Sequence, residues 1–269
     1  MRVLVSAVGT RGDVQPAVAV ALEAWALGHD VRLSVSPNFV KWVSQLGFEA
    51  TPVGVEMRHR RSPGSSPSAI ALTSEQLRQM RETMPDLITD QFEEVGSAAK
   101  GCDVILGAGG HQYAAPSIAE AKGIRYFNAV YAPVSLPSPD HAPPPAPGQW
   151  WKLGSPTYNE QWWLEHARCW NERSLERINH NRERLGLAAV DDVLDHIRTK
   201  HPWLAADPTL APLPSTPGKG VFQTGAWMPA LAGAIQNALQ PAVADRARSV
   251  AAVIATYGAL TAARRLVEA

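Results

Sequence analysis

The chain opens on an apolar run, Val3-Leu4-Val5, that continues to Val8 and stops at Gly9. After a polar interval, apolar positions return at helical spacing as Ala17, Val18, Ala21, Leu22 and Trp25, until Gly28-His29-Asp30 interrupts them. A buried strand, a loop and an amphipathic helix account for this change of period. The unit then repeats. Val31 to Val35 reads as a second strand, Phe39, Val43 and Leu46 as a short helix ended by Gly47, and Phe48 to Val53 as a third strand. Strands alternating with helices at such short intervals pair in parallel through crossover helices, which predicts an α/β fold with a Rossmann-like parallel sheet flanked by helices.

Further along, Val55 to Ser68 turns to arginine, serine, proline and glycine, the pattern of a solvated loop. Thr73 and Gln76 suit a capping box for a long helix bearing Leu77, Met80, Met84, Leu87, Ile88 and Val95, bent at Pro85. Cys102 to Leu106 is the predicted fourth strand, with Gly109-Gly110-His111 as its exit loop. Ile124 to Val130 is the fifth, and His201 to Pro208 reads as another buried strand. Seven prolines between Pro133 and Pro147 precede Trp150, Trp151, Trp162, Trp163 and Trp170. Proline stiffens a loop and indoles supply apolar area, so an apolar ligand surface is one reading; core packing is the other. From Ala230 the spacing of Leu231, Ile235, Leu239, Val243, Val250, Val253, Ile254, Tyr257 and Leu260 predicts amphipathic helices with Arg246, Arg248, Arg264 and Arg265 on the wet side.

Composition narrows the function classes. With 45% hydrophobic residues among 269, the chain can bury a substantial core, and 25 basic residues balance 25 acidic ones. No global positive field exists to gather nucleic acid, which is not expected as a partner. Cys102 and Cys169 form no closely spaced pair, and His196 and His201 lack a third ligand, so neither a disulfide framework nor a metal site is expected. No apolar run reaches the roughly 18 residues that span a bilayer. Met1 leads into a strand without a signal-like segment, so a soluble, cytoplasmic protein with no integral membrane segment is the expectation.

The candidate chemistry lies in Gly9-Thr10-Arg11-Gly12-Asp13-Val14-Gln15-Pro16. A strand-to-helix loop sits at the carboxyl edge of a parallel sheet, where open α/β folds bind ligands, so Asp13 is a candidate for chemistry. Asp is also a preferred capping residue, and Pro16 suits a first helical turn. A nicotinamide dehydrogenase shares the order of strand, glycine loop and helix. Here, however, Gly9 and Gly12 leave the three-glycine fingerprint incomplete, and Ser34-Val35-Ser36-Pro37 offers no acidic residue for a ribose.

The Gly9 to Pro16 loop, the proline-rich stretch, His201 to Pro208 and Gln223-Thr224-Gly225-Ala226-Trp227 together resemble the amino-terminal half of nucleotide-sugar glycosyltransferases of the GT-B fold. The likeness is to antibiotic glycosyltransferases of glycopeptide aglycones and to sterol glucosyltransferases, whose first loop is written with the same eight residues. It implies an acceptor-binding domain over residues 1–228 and a C-terminal helical segment over 229–269 that resembles the end of the family's second domain. Most of that donor domain, with its His-Gly-Gly-Ala-Gly-Thr-like diphosphate loop, is not found in the sequence.

By the same resemblance Asp13 is the general base for an acceptor hydroxyl, and Thr10, Arg11 and Gly12 approach the donor diphosphate. His111, Gln112, Tyr113, Tyr131, Trp150 and Trp151 would contact the acceptor. The expected ligand is a bulky apolar aglycone, antibiotic or sterol-like. No cofactor is expected beyond a UDP- or dTDP-sugar co-substrate, held only with a donor domain. A donor-domain protein, or self-association through the exposed interdomain face, completes the implied partners. Alone, the chain is expected to bind aglycone and transfer sugar negligibly; the alternative is a non-catalytic aglycone-binding or regulatory subunit.

Overall fold

A computed structural model describes residues 1–56, 87–144, 158–215, 220–228 and 257–268. Most of the predicted loop after Val55, the Thr73 capping box, the bend at Pro85, Trp150, Trp151 and residues 229–256 lie outside them. Seven strands build one sheet: β1 (Arg2–Ala7), β2 (Asp30–Val35), β3 (Glu49–Pro52), β4 (Val104–Ala108), β5 (Arg125–Val130), β6 (Trp203–Leu204) and β7 (Phe222–Gln223). All neighbours pair in parallel, in the order β3-β2-β1-β4-β5-β6-β7. The helices are α1 (Arg11–Ala26), α2 (Pro37–Gln45), α3 (residues 87–98), α4 (Ala115–Lys122), α5 (Asn159–Arg184), α6 (Val193–Arg198) and α7 (Gly258–Glu268).

Both faces of the central strands are covered, which is why they read as nearly continuous apolar runs. Val3, Val5 and Ala7 of β1 join Val104, Leu106 and Ala108 of β4 in a core shared with α1 and α7. Leu4, Val8 and Ile105 point the other way, into a core with Ile88 and Val95 of α3, Ile118 of α4 and Ile178 of α5. The chain winds outward from β1 to β3, then resumes on the other side at β4. The carboxyl ends of β1 and β4 therefore flank the crevice where open α/β sheets take ligands.

Several boundaries differ from the sequence reading. α1 starts at Arg11, ahead of the apolar stripe that opens at Ala17, because extended Thr10 caps it and Asp13 serves as its third residue. Gly9 makes the tight exit from β1 possible: its φ is 150°, and a Cβ there would collide with the Asp13 carboxylate. β4 starts two residues later than predicted, since the Cys102 N–H closes a turn onto the Ala99 carbonyl (3.2 Å) and the Asp103 carboxylate accepts from the Arg2 N–H (2.7 Å). The buried stretch near Trp203 contributes only two ladder residues, bracketed by Pro202 and Pro208.

α7 buries Ala259, Ala262, Ala263 and Leu266 in the core that also holds Ala17, Ala21 and Ala24 of α1. Arg264 and Arg265 face water as the pattern predicts, whereas Tyr257, read as apolar stripe, is 64% exposed. Gly258 abuts the backbone of Gly225 and Ala226 so closely that a Cβ would strike it. The chain thus returns at α7 to the place where it leaves the sheet. Among the described residues no helix is long and apolar enough to cross a membrane.

Candidate functional site

Asp13 stands in the first turn of α1, at the crevice between β1 and β4. Its Oδ2 accepts from the Thr10 backbone N–H at 2.7 Å and from the Thr10 hydroxyl at 3.1 Å. Its Oδ1 faces Gly109 in the exit loop of β4, where a Cβ would lie 3.5 Å away. Among the described residues Oδ1 accepts no hydrogen bond. The two sequence readings of Asp13 are therefore compatible: one oxygen holds the helix start, and the other is left for a donor from outside.

Groups from neighbouring strands fix this helix end. The Tyr131 hydroxyl, just beyond β5, donates to the Asp13 carbonyl at 2.7 Å. Burial, reinforced by the nearby Asp13 charge, raises the Tyr131 pKa well above its ordinary value, so the phenol remains a donor. Trp227 meets the Tyr131 ring edge-on at 5.8 Å, and its Nε1 donates to the Thr224 hydroxyl at 2.8 Å. On the opposite side, Gly9 N–H donates to Ser36 Oγ at 2.9 Å and the Ser36 hydroxyl donates to the Gly9 carbonyl at 3.0 Å. Ser36, at the end of β2, is thus turned toward the β1 loop.

Of the other first-turn residues, Thr10 is partly buried, while Arg11 and Gly12 are exposed. Arg11 Nε donates to Gln15 Oε1 at 3.0 Å. As at any helix start, the leading N–H groups have no partner one turn earlier.

The three residues after Gly110 part company. His111, in the exit loop of β4, is exposed, and its carbonyl accepts from Gln91 Nε2 at 3.0 Å. Desolvation of the ring lowers its pKa below the ordinary imidazole value, while Asp13 pulls in the opposite direction. Gln112 is fully buried, its Nε2 donating to the carbonyls of Ser6 (3.0 Å) and Ala108 (2.9 Å). Tyr113 is also fully buried; its N–H donates to Gln91 Oε1 at 3.0 Å, and burial pushes its hydroxyl pKa far up.

Trp170, grouped in the sequence with the tryptophans of a candidate apolar surface but not among the acceptor contacts, is a neighbour of both His111 and Tyr113. Its ring lies 5.8 Å from His111 and 5.9 Å from Tyr113. The signal was the spacing of Trp163, His166 and Trp170, which puts the three on one face of α5, with successive ring centroids 5.7 and 6.1 Å apart. Trp163 Nε1 donates to the His141 carbonyl at 2.9 Å, tying the proline-rich stretch to this helix. Trp150 and Trp151 lie outside the described residues. Among the described residues no group of three or more His, Cys, Asp or Glu is placed to hold a metal ion.

The profile of the glycosyltransferase family 28 N-terminal domain matches residues 3–137, a span that includes β1 to β5 and the Asp13 crevice. The chain belongs to glycosyltransferase family 28. Relatives in Amycolatopsis orientalis include glycosyltransferase GtfC, 37% identical over 234 residues, which cover 85% of this chain and 54% of that protein. Vancomycin aglycone glucosyltransferase from the same organism is 35% identical over 240 residues, with the same coverage of both. The chain spans about half the length of the curated relatives it matches. Among solved structures, spinosyn forosaminyltransferase SpnP shares the fold with a TM-score of 0.52 at 17% identity, over 85% of this chain and 51% of that one. The sheet and flanking helices thus correspond to one half of a GT-B glycosyltransferase.

Proposed function

We propose that this family 28 chain is the acceptor-binding half of a glycosyltransferase that moves a sugar from a UDP- or dTDP-sugar to a hydroxyl of a bulky apolar aglycone. The observation that carries the reading is the Asp13 carboxylate, held through Oδ2 and presenting Oδ1 to the crevice between β1 and β4. Relatives named as a vancomycin aglycone glucosyltransferase and a dTDP-epi-vancosaminyltransferase support the substrate classes.

In this reading the acceptor hydroxyl approaches Oδ1 and passes its proton to Asp13 as its oxygen bonds the anomeric carbon. The bond to the nucleotide diphosphate breaks, and the diphosphate leaves with the electron pair. A carboxylate is a weak base for an alcohol, so proton transfer accompanies attack and contributes about 10²- to 10⁴-fold. The bonds from Thr10 keep the carboxylate from turning away. The first-turn N–H groups around Thr10, Arg11 and Gly12 meet the diphosphate.

His111, Trp170 and Tyr131 wall the acceptor side, with Gln112 and Tyr113 supporting that wall from beneath. The nucleotide sugar is gripped chiefly by a donor half supplied by another segment or polypeptide. Two cysteines kept as buried thiols, Cys102 and Cys169, suit a reducing cytoplasm.

Calorimetric titration tests the reading. A glycopeptide aglycone should bind the 269-residue chain with measurable heat, and UDP or dTDP should bind far more weakly. Tight nucleotide binding without aglycone binding would reverse the assignment of halves.

A further inference from the structure

At one level of the sheet the apolar pattern of buried strands gives way. The register sets Ser34 of β2 beside Ser6 of β1, Ser6 beside Gly107 of β4, and Gly107 beside Asn128 of β5. Ser6, Ser34 and Asn128 have no solvent exposure. Leu4 and Val8, two positions either side of Ser6, belong to the core beneath α3 and α4, so the polar row faces that layer. Gly107 provides the room that Gln112 and the Tyr126 hydroxyl fill: a Cβ there would lie 3.0 Å from Gln112 Cγ and 2.7 Å from the Tyr126 oxygen.

The two carboxamides in this row are oriented alike. Gln112 Nε2 donates to the Ser6 and Ala108 carbonyls, and Asn128 Nδ2 donates to those of Gly107 (3.1 Å) and Gly109 (3.2 Å). Turning either group over would set oxygen against oxygen. Gln112 Oε1, Asn128 Oδ1 and the hydroxyls of Ser6 and Ser34 are left buried, with no hydrogen-bond partner among the described residues.

Folded interiors seldom leave four such atoms unmatched in one row, and ordered water is the usual partner where protein groups do not reach. Neighbouring parallel strands lie about 4.8 Å apart, a separation that one water bridges with two hydrogen bonds of about 2.8 Å. We propose that ordered water molecules occupy this row, donating to Gln112 Oε1 and Asn128 Oδ1 and bonding the hydroxyls of Ser6 and Ser34. Water matches the donor and acceptor inventory, because it can donate to both amide oxygens and accept from both hydroxyls. The row ends next to the site: the Asn128 carboxamide holds the carbonyl of Gly109, the residue that faces Asp13 Oδ1.

Two measurements on the full 269-residue chain test this. A crystal structure of sufficient resolution should show solvent density within hydrogen-bond distance of Ser6 Oγ and Gln112 Oε1. Water-to-protein cross-relaxation in NMR should show long-lived water at the Gln112 and Asn128 side-chain amides. Ser6→Ala should lose the water at Ser6 and keep the one at Asn128; Ser34→Ala provides the same comparison from the other end of the row. A dry row, an unchanged solvent pattern in both variants, or anomalous signal there after a rubidium soak, which would indicate a cation, would overturn the proposal.

Discussion

Asp13 combines two functions that substitution can separate. Asp13→Asn keeps an oxygen for the Thr10 N–H, so the helix start should hold and aglycone affinity should stay nearly intact, while base function is lost. Asp13→Ala removes both and should lower unfolding stability by about 1 kcal/mol in a denaturant titration. Equal stability of wild type and Asp13→Ala would show that the cap carries no weight. His196 offers an independent check through pH. Its Nε2 lies 2.8 Å from the Ser117 hydroxyl, and burial, with Arg182 nearby, lowers its pKa from 6.5 to about 4; His166 is lowered to about 4 as well. The unfolded rings bind protons at higher pH than the folded ones, so stability is complete above 6.5 and falls as pH drops toward 4. Urea midpoints across this range should fall with pH, and less steeply in His196→Gln. At this scale the sequence located Asp13 through its glycine-flanked loop. It did not disclose Tyr131 bonding the Asp13 carbonyl or Ser36 bridging Gly9, because both depend on strands 118 and 27 residues away.

Among the elements, the strand–helix alternation was legible up to β5, since β1 and β4 are largely apolar runs, β2, β3 and β5 mix apolar with polar residues, and each strand is followed by a glycine or proline. Boundaries were less so, because capping by Thr10 and the turn at Cys102 are set by local hydrogen bonds rather than by apolar period. β6 and β7 have two ladder residues each, too few to show any periodicity. α7 packs by alanines, which leave a weak hydrophobic signal but permit close approach. Gly258→Ala should therefore be disproportionately harmful for so small a change, destabilising by about 1–3 kcal/mol because the Gly225–Ala226 backbone cannot yield cheaply. Leu266→Ala on the same helix should cost about 2–5 kcal/mol. Chemical unfolding of both variants checks this, and a neutral Gly258→Ala would mean that α7 is not seated against that backbone.

For the whole molecule, the return of α7 to the Gly225–Ala226 backbone brings Gly258 back to the chain just after β7. Closely spaced ends let a segment be inserted or removed without rebuilding the sheet. Around this point Leu210, Leu213, Phe222, Met228 and Tyr257 expose apolar surface. Sedimentation velocity should show self-association rising with concentration. A strictly monomeric chain would mean that this surface is too small to associate. The central claim, an acceptor half whose base is Asp13, is tested most directly by labelled-sugar transfer from a UDP- or dTDP-sugar to a glycopeptide aglycone. Three preparations suffice: the chain alone, the chain with the donor half of a related glycosyltransferase, and Asp13→Asn with that same half. The account predicts negligible transfer in the first, turnover in the second, and a loss of about 10²-fold or more in the third. Robust turnover by the chain alone, or undiminished turnover with Asp13→Asn, would contradict it.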